Sequence, residues 1–119
     1  MKKAFFVLLF CSAVYACTSP ISPPPPDLLP EKKMTNILFD IHVAEARVER
    51  MGLALDTASF HYKALQQNIL KKHNVTPAQF YKSYSYYLRN VSELDKIYEK
   101  IVDSLSLKEV EAGSAQNKP

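Results

Sequence analysis

Glycine and cysteine are scarce in this chain. Of 119 residues, only Gly52 and Gly113 are glycine, and only Cys11 and Cys17 are cysteine. Two isolated glycines exclude a Gly-rich phosphate loop, and no G-x-S-x-G nucleophile elbow occurs. The cysteines form no CxxC redox pair, zinc knuckle or disulfide framework. Alternating apolar and polar β patterns are also missing, and the apolar spacing is helical throughout. These absences exclude a β-rich fold, a thiol-based redox centre and the common nucleotide cradles.

What is present begins at the N-terminus. Lys2 and Lys3 precede an apolar run from Ala4 to Val14, followed by Val14-Tyr15-Ala16-Cys17. A basic start, a short apolar core and a small residue before a cut describe a secretory signal peptide. The run falls well short of the roughly 20 residues that span a bilayer. A cysteine directly after the small residue resembles the lipobox of bacterial lipoproteins, whose thiol receives a diacylglyceryl group and becomes the acylated N-terminus. Residues 1–16 are therefore expected to be a signal peptide and Cys17 the lipid attachment site. Val14 and Ala16 fit a lipobox, and Tyr15 is bulkier than usual. The competing Cys11 follows Phe10, a poor cleavage residue. The expected address is the cell envelope, tethered by lipid to the periplasmic face of the outer membrane, since no acidic cluster follows Cys17.

Removal of residues 1–16 leaves 103 residues and lowers the formal charge from +3 to +1, because Lys2 and Lys3 depart. The apparent basicity is thus partly a targeting artefact and gives no argument for nucleic acid. Residues 17–29 form a Pro-rich tether; six of the chain's eight prolines lie between Thr18 and Pro30. Such a segment favours polyproline II, and thirteen residues at about 3.1 Å each reach roughly 40 Å from a membrane.

Residues 30–110 carry the helical periodicity, with a polar, disordered tail expected over 111–119. The reading is all-α, a small bundle of about four helices, near the lower limit for an independent core. The first helix is expected from Pro30 to Met51, with Met34, Ile37, Ile41, Ala44, Val48 and Met51 in one stripe and Gly52 as its stop. Phe39, Val43 and Ala46 form a second apolar set, which fits either a central helix or an interface. The second helix is expected from Thr57 to His73, capped by Asp56 or Thr57, with Ala58, Tyr62, Leu65, Ile69 and His73 on one face. Asn74 can stop it in a left-handed conformation. Thr76-Pro77-Ala78-Gln79 reads as a capping box opening the third helix, with Phe80, Tyr84, Tyr87 and Leu88 inward. The fourth starts at Ser92, with Leu94, Tyr98, Ile101 and Leu105 inward and Ile97 and Val102 flanking.

These stretches resemble domain-of-unknown-function family 4296, a family of small bacterial envelope lipoproteins. The residues that carry the resemblance are Asp40-Ile41-His42-Val43-Ala44-Glu45-Ala46 and Ile69-Leu70-Lys71-Lys72-His73-Asn74-Val75-Thr76. Phe80, Ser83, Tyr86 and Tyr87 follow as F-x-x-S-x-x-Y-Y, then Ile97-Tyr98 with Val102 and Leu105. The resemblance covers about residues 28–106 and implies a lipid-anchored all-helical domain with no assigned activity.

Candidate chemistry is sparse. His42 and Glu45 lie three apart on one helix surface, half of a helical metal site. Neither His61 nor His73 has a Glu three residues before it, so a dinuclear site cannot be assembled. A polar site of His42, Glu45 and His73 is the remaining metal-dependent or catalytic alternative. The plainer expectation is that Glu45 accepts a hydrogen bond from a Tyr or His at the core edge. Neither a metal nor any other cofactor is expected. Ser83 fits close helix packing better than nucleophilic catalysis.

Four of the six tyrosines left after signal removal fall at 81, 84, 86 and 87. Tyr84 and Tyr87 belong to the core stripe, whereas Tyr81 lies at its edge and Tyr86 points away from it. Between Thr57 and Val91 there are five basic residues and no acidic one; Ser92 to Glu111 holds six acidic residues against three lysines. Either these segments pair, or a basic surface meets an anionic partner. The functional expectation is a non-enzymatic binding or adaptor domain for an envelope protein or anionic envelope component. Its surface is expected to comprise Tyr81, Lys82, Tyr86 and Arg89 with Phe39 and Val43. A small periplasmic chaperone is the further alternative, for which an exposed apolar groove is expected.

Overall fold

The computed structural model describes residues 23–116. Cys17, the expected signal peptide and residues 117–119 lie outside them. Four helices follow in order: α1 (Glu31–Arg50), α2 (Leu55–Lys72), α3 (Pro77–Arg89) and α4 (Val91–Gln116). No strand occurs among the described residues, so the all-α bundle of four helices holds.

The helix ends follow from local chemistry. Gly52 adopts a φ of 59°, and its N–H bonds the Glu49 carbonyl at 3.2 Å, which turns the chain out of α1. At the end of α2, Asn74 has a φ of 52°. Its N–H reaches the Lys71 carbonyl at 3.0 Å, and the Val75 N–H reaches that of Leu70 at 2.9 Å. This is a Schellman motif, and its characteristic apolar contact joins Val75 and Leu70, both buried. The Thr76 hydroxyl accepts the Gln79 N–H at 3.2 Å and opens α3. Asn90 alone separates α3 from α4: its side-chain amide donates to the Tyr86 carbonyl at 2.8 Å, and its own carbonyl accepts the Leu94 N–H at 3.1 Å.

α1 is the central helix, packed by α2 on one side and α4 on the other. Met34 and Ile37 are fully buried, with Leu38, Ile41, Ala44 and Val48 close behind. α3 closes the bundle with Phe80, Ser83 and Tyr87, and α4 adds Ile97 and Ile101.

Several expected details are corrected. α2 starts two residues earlier than expected, capped by the Ala54 backbone with no side-chain cap, so Asp56 sits in the first turn instead. Its expected stripe is only half-buried because α2 flanks the bundle; the buried residue is Leu70. Met51, Leu88 and Val102 are exposed, while Ile97 rather than Leu94 takes the centre of α4. α4 begins at Val91 and continues to Gln116, through most of the expected tail, with Ser104, Ser106 and Ser114 hydroxyls bonding back to carbonyls three or four residues earlier.

The largest departure concerns the end of the tether. Leu29 is buried, and its backbone is clamped by two side chains of α3. Its N–H donates to Ser83 Oγ at 2.9 Å, and its carbonyl accepts from the Tyr87 hydroxyl at 2.8 Å. Gln79 Nε2 adds a bond to the Asp27 carbonyl at 3.0 Å. Residues 25–29 thus form a strap built into the fold. Ser83 is a buried acceptor, a stronger role than close packing alone.

Losing either clamp leaves a buried backbone group unpaired, which costs about 1–3 kcal/mol. Ser83→Ala and Tyr87→Phe are each expected to lower urea-unfolding stability by that amount. Ser85→Ala, on the exposed side of the same helix, is expected to stay within about 0.5 kcal/mol. Equal effects from all three would dismiss the clamp.

Candidate functional site

Five of the six expected partner-binding residues line one or other of two grooves, and Phe39 lines neither. Tyr81, Lys82, Tyr86 and Arg89 come together along the outer face of α3, where they line a groove of about 540 Å³ with Ala78 and Ser85. Pro23 and Pro25 form its other wall, so the strap and the tyrosine helix build it jointly. Helical spacing explains the grouping: positions 78, 81, 82, 85 and 89 recur at three- and four-residue steps. Tyr81 is exposed. Tyr86 is half-buried, with its ring edge-on to Tyr87 at 5.6 Å, so it joins the core to the groove instead of standing free.

Phe39 and Val43 are not part of this groove. Val43 lines a second one of about 470 Å³ between α1 and α4, with Arg47, Arg50 and Lys108. Phe39 is covered by Lys108, whose Nζ lies 4.6 Å from the ring centroid, a cation–π geometry.

The expected polar trio also separates. His42 Nδ1 lies 3.0 Å from Glu45 Oε2, whereas His73 Nε2 pairs with Asp40 Oδ2 at 2.8 Å. Lys72 reaches the same Asp40 oxygen at 3.0 Å. No three metal-ligating side chains converge among the described residues. Glu45 accepts from a histidine, as expected at the core edge. Because a carboxylate only accepts, the proton sits on Nδ1 of His42. Nε2 is buried without a hydrogen-bond partner.

Around Glu45 the fold assembles a cavity of about 140 Å³ that sequence reasoning did not group. Its polar lining comes from all four helices: His42 and Glu45 on α1, Tyr62 and Gln66 on α2, Tyr81 and Tyr84 on α3, and Tyr98 on α4. Burial, then the Glu45 carboxylate, pushes the Tyr62 phenol up to about 12. Burial, then Tyr84 and Glu45, does the same for Tyr98, also to about 12. Both phenols therefore keep their protons at neutral pH. The signal that could have found them is their placement: Tyr62, Tyr84 and Tyr98 each sit on an expected inward stripe, where a hydroxyl needs a partner.

Charge is distributed differently from the pairing expected between basic and acidic halves. The described interhelical ion pairs all involve α1: Asp40 with Lys72 and His73, and Glu31 with Lys100. None joins α2 or α3 to α4 among the described residues. The basic side chains of the α3 groove thus have no described acidic partner.

Large apolar side chains are also exposed one by one at the α1–α2 turn and the start of α2: Met51, Leu53, Leu55 and Phe60, the last at 73%.

A family model for a domain of unknown function, DUF4296, matches residues 25–111. The match begins at the strap, not at α1, and ends within α4. No curated protein and no solved structure matches this chain.

Asp40 gives a pH prediction. Desolvation raises its carboxyl, but hydrogen bonds from His73 and Lys72 outweigh it and hold it below the ordinary aspartate value. A depressed native value contributes stability above the unfolded value, about pH 4, and loses it as pH falls through the native value. Asp40→Asn is therefore expected to cost about 1–2 kcal/mol at pH 7, a cost that shrinks below about pH 4. Urea unfolding across that range checks it; a cost independent of pH would contradict the ionic origin.

Proposed function

The chain belongs to the DUF4296 family, and from that premise we propose that it is a lipid-anchored envelope protein whose helical domain binds a partner rather than catalysing a reaction. The lipid is carried by Cys17, and the partner is an envelope protein or anionic envelope component, not nucleic acid. The anchored face is the periplasmic side of the outer membrane.

One observation carries this reading. The α3 groove gathers an exposed tyrosine, a half-buried tyrosine and two cations beside the segment that leads back toward Cys17. Tyrosine offers contact area at low entropic cost, and a cation without an acidic neighbour is available to a partner. The strap holds the described end of the Pro-rich segment, residues 23–29, against α3. A partner captured there would sit at the junction of domain and tether.

The exposed apolar residues around the α1–α2 turn favour a second reading, a small chaperone for unfolded clients. One experiment separates the two. A photo-crosslinker at Ser85, exposed within the groove, is placed in the full chain in cells. A single dominant crosslinked envelope protein, lost in Lys82→Glu with Arg89→Glu, is the expected result. Many unrelated clients would support the chaperone, and a folded, anchored protein that crosslinks to no protein, glycan or lipid would overturn both. These variants leave the half-buried Tyr86 in place, so loss of capture cannot be ascribed to core damage. In parallel, Cys17→Ser is expected to abolish labelling by an alkynyl fatty acid and release the protein from the membrane fraction. Persistent labelling would contradict the lipid anchor.

A further inference from the structure

We propose that the cavity around Glu45 is an aromatic cage for an ammonium group, supplied by a small alkylammonium compound or by a lysine side chain. The charge of the lining carries the inference. Glu45 contributes the one negative charge, and neither lysine nor arginine lines the cavity. The remaining walls are rich in aromatic rings: Tyr62, Tyr81, Tyr84 and Tyr98, with Phe80 behind them. Ring faces attract cations through the quadrupole, and aromatic cages are a recurring solution for alkylammonium recognition; the Glu45 carboxylate adds a direct charge attraction.

Geometry fits the class. A cavity of about 140 Å³ holds about four waters at about 30 Å³ each, or one compact head group. Phe80 and Tyr84 are stacked within 5° at 5.8 Å, which fixes their planes. His42 orients the carboxylate through its 3.0 Å contact with Oε2, and its own ring leans on Tyr98 at 5.8 Å. Gln66 receives the Tyr81 hydroxyl at 3.4 Å, tying α2 to α3. The Glu45 side chain remains 45% exposed, so a ligand can enter from solvent. The walls belong to every helix of the bundle and are therefore held by the core itself. An anionic or carboxylate ligand would meet Glu45 and is excluded.

This inference is independent of the adaptor reading, since it rests on the cavity and not on the α3 groove. Tyr81 is the one side chain that lines both.

The chain contains no tryptophan, so tyrosine fluorescence of the purified full chain reports on the cage. Three probes are titrated: choline, N-acetyl-lysine methylamide, and 3,3-dimethylbutanol, the neutral isostere of choline. A saturable change is expected with at least one ammonium probe and none with the alcohol. Glu45→Gln is expected to weaken that response at least tenfold while helicity by circular dichroism is retained. Tyr98→Phe, which keeps the ring, is expected to retain binding, and Tyr98→Leu to lose it. Saturation by choline would identify a free small ammonium; saturation by the lysine probe alone would identify a protein side chain. No saturable response to either ammonium would overturn the proposal. So would equal binding of the neutral alcohol, or binding indifferent to Glu45→Gln.

Discussion

Burial of α1 is the constraint on which the rest of this domain depends. A bundle of this size has little interior, and α1 supplies more of it than any other helix. Ile37 and Met34 are fully buried, and each such side chain is worth about 1.5–3 kcal/mol. α2 and α4 flank that helix, and the described interhelical ion pairs all end on it. α3, the shortest helix at 13 residues, has less surface to offer the core. It compensates by clamping the strap through Ser83 and Tyr87, which holds Leu29 in the core.

That compensation links fold to proposed function. The clamp brings the end of the Pro-rich segment against the outer face of α3, where Pro23 and Pro25 become a wall of the groove. A tether attached elsewhere would leave Tyr81, Lys82 and Arg89 on an open helix face. The strap ties the end of the Pro-rich segment to the core through two hydrogen bonds to buried groups instead of leaving it at a frayed helix end. The opposite side of α3 contributes Tyr84 to the Glu45 cavity, so one short helix serves a basic outer surface and an acidic inner one.

Much of the fold was legible in the sequence because its signals are local. The α1 stripe, the Asn74 stop and the Thr76 cap each depend on residues within one or two turns. The Leu29 clamp was not legible, since its partners are 54 and 58 residues away and Leu-Leu-Pro reads as the end of a tether. The length of α4 was hidden by its polar composition, which a solvent-exposed helix shares with a disordered tail. For the sites, spacing along α3 placed Tyr81, Lys82, Tyr86 and Arg89 near one another, and all four line one groove. It could not show that Lys108 covers Phe39, or that Asp40 captures His73 away from Glu45. Both depend on which helices become neighbours, which a single periodic pattern does not encode.

The central claim is that the α3 groove is occupied when the protein is in its envelope. Thiol accessibility measures this directly. Ser85→Cys places a thiol in the groove, and Gln67→Cys places a control on the exposed side of α2. Each variant is labelled with a membrane-impermeant maleimide, in isolated envelopes opened to the reagent and after purification in detergent. Protection of position 85 in envelopes alone, with position 67 labelled equally in both states, is the result expected here. Equal labelling of position 85 in both states would mean that the groove stands empty, and the account of its function would fall.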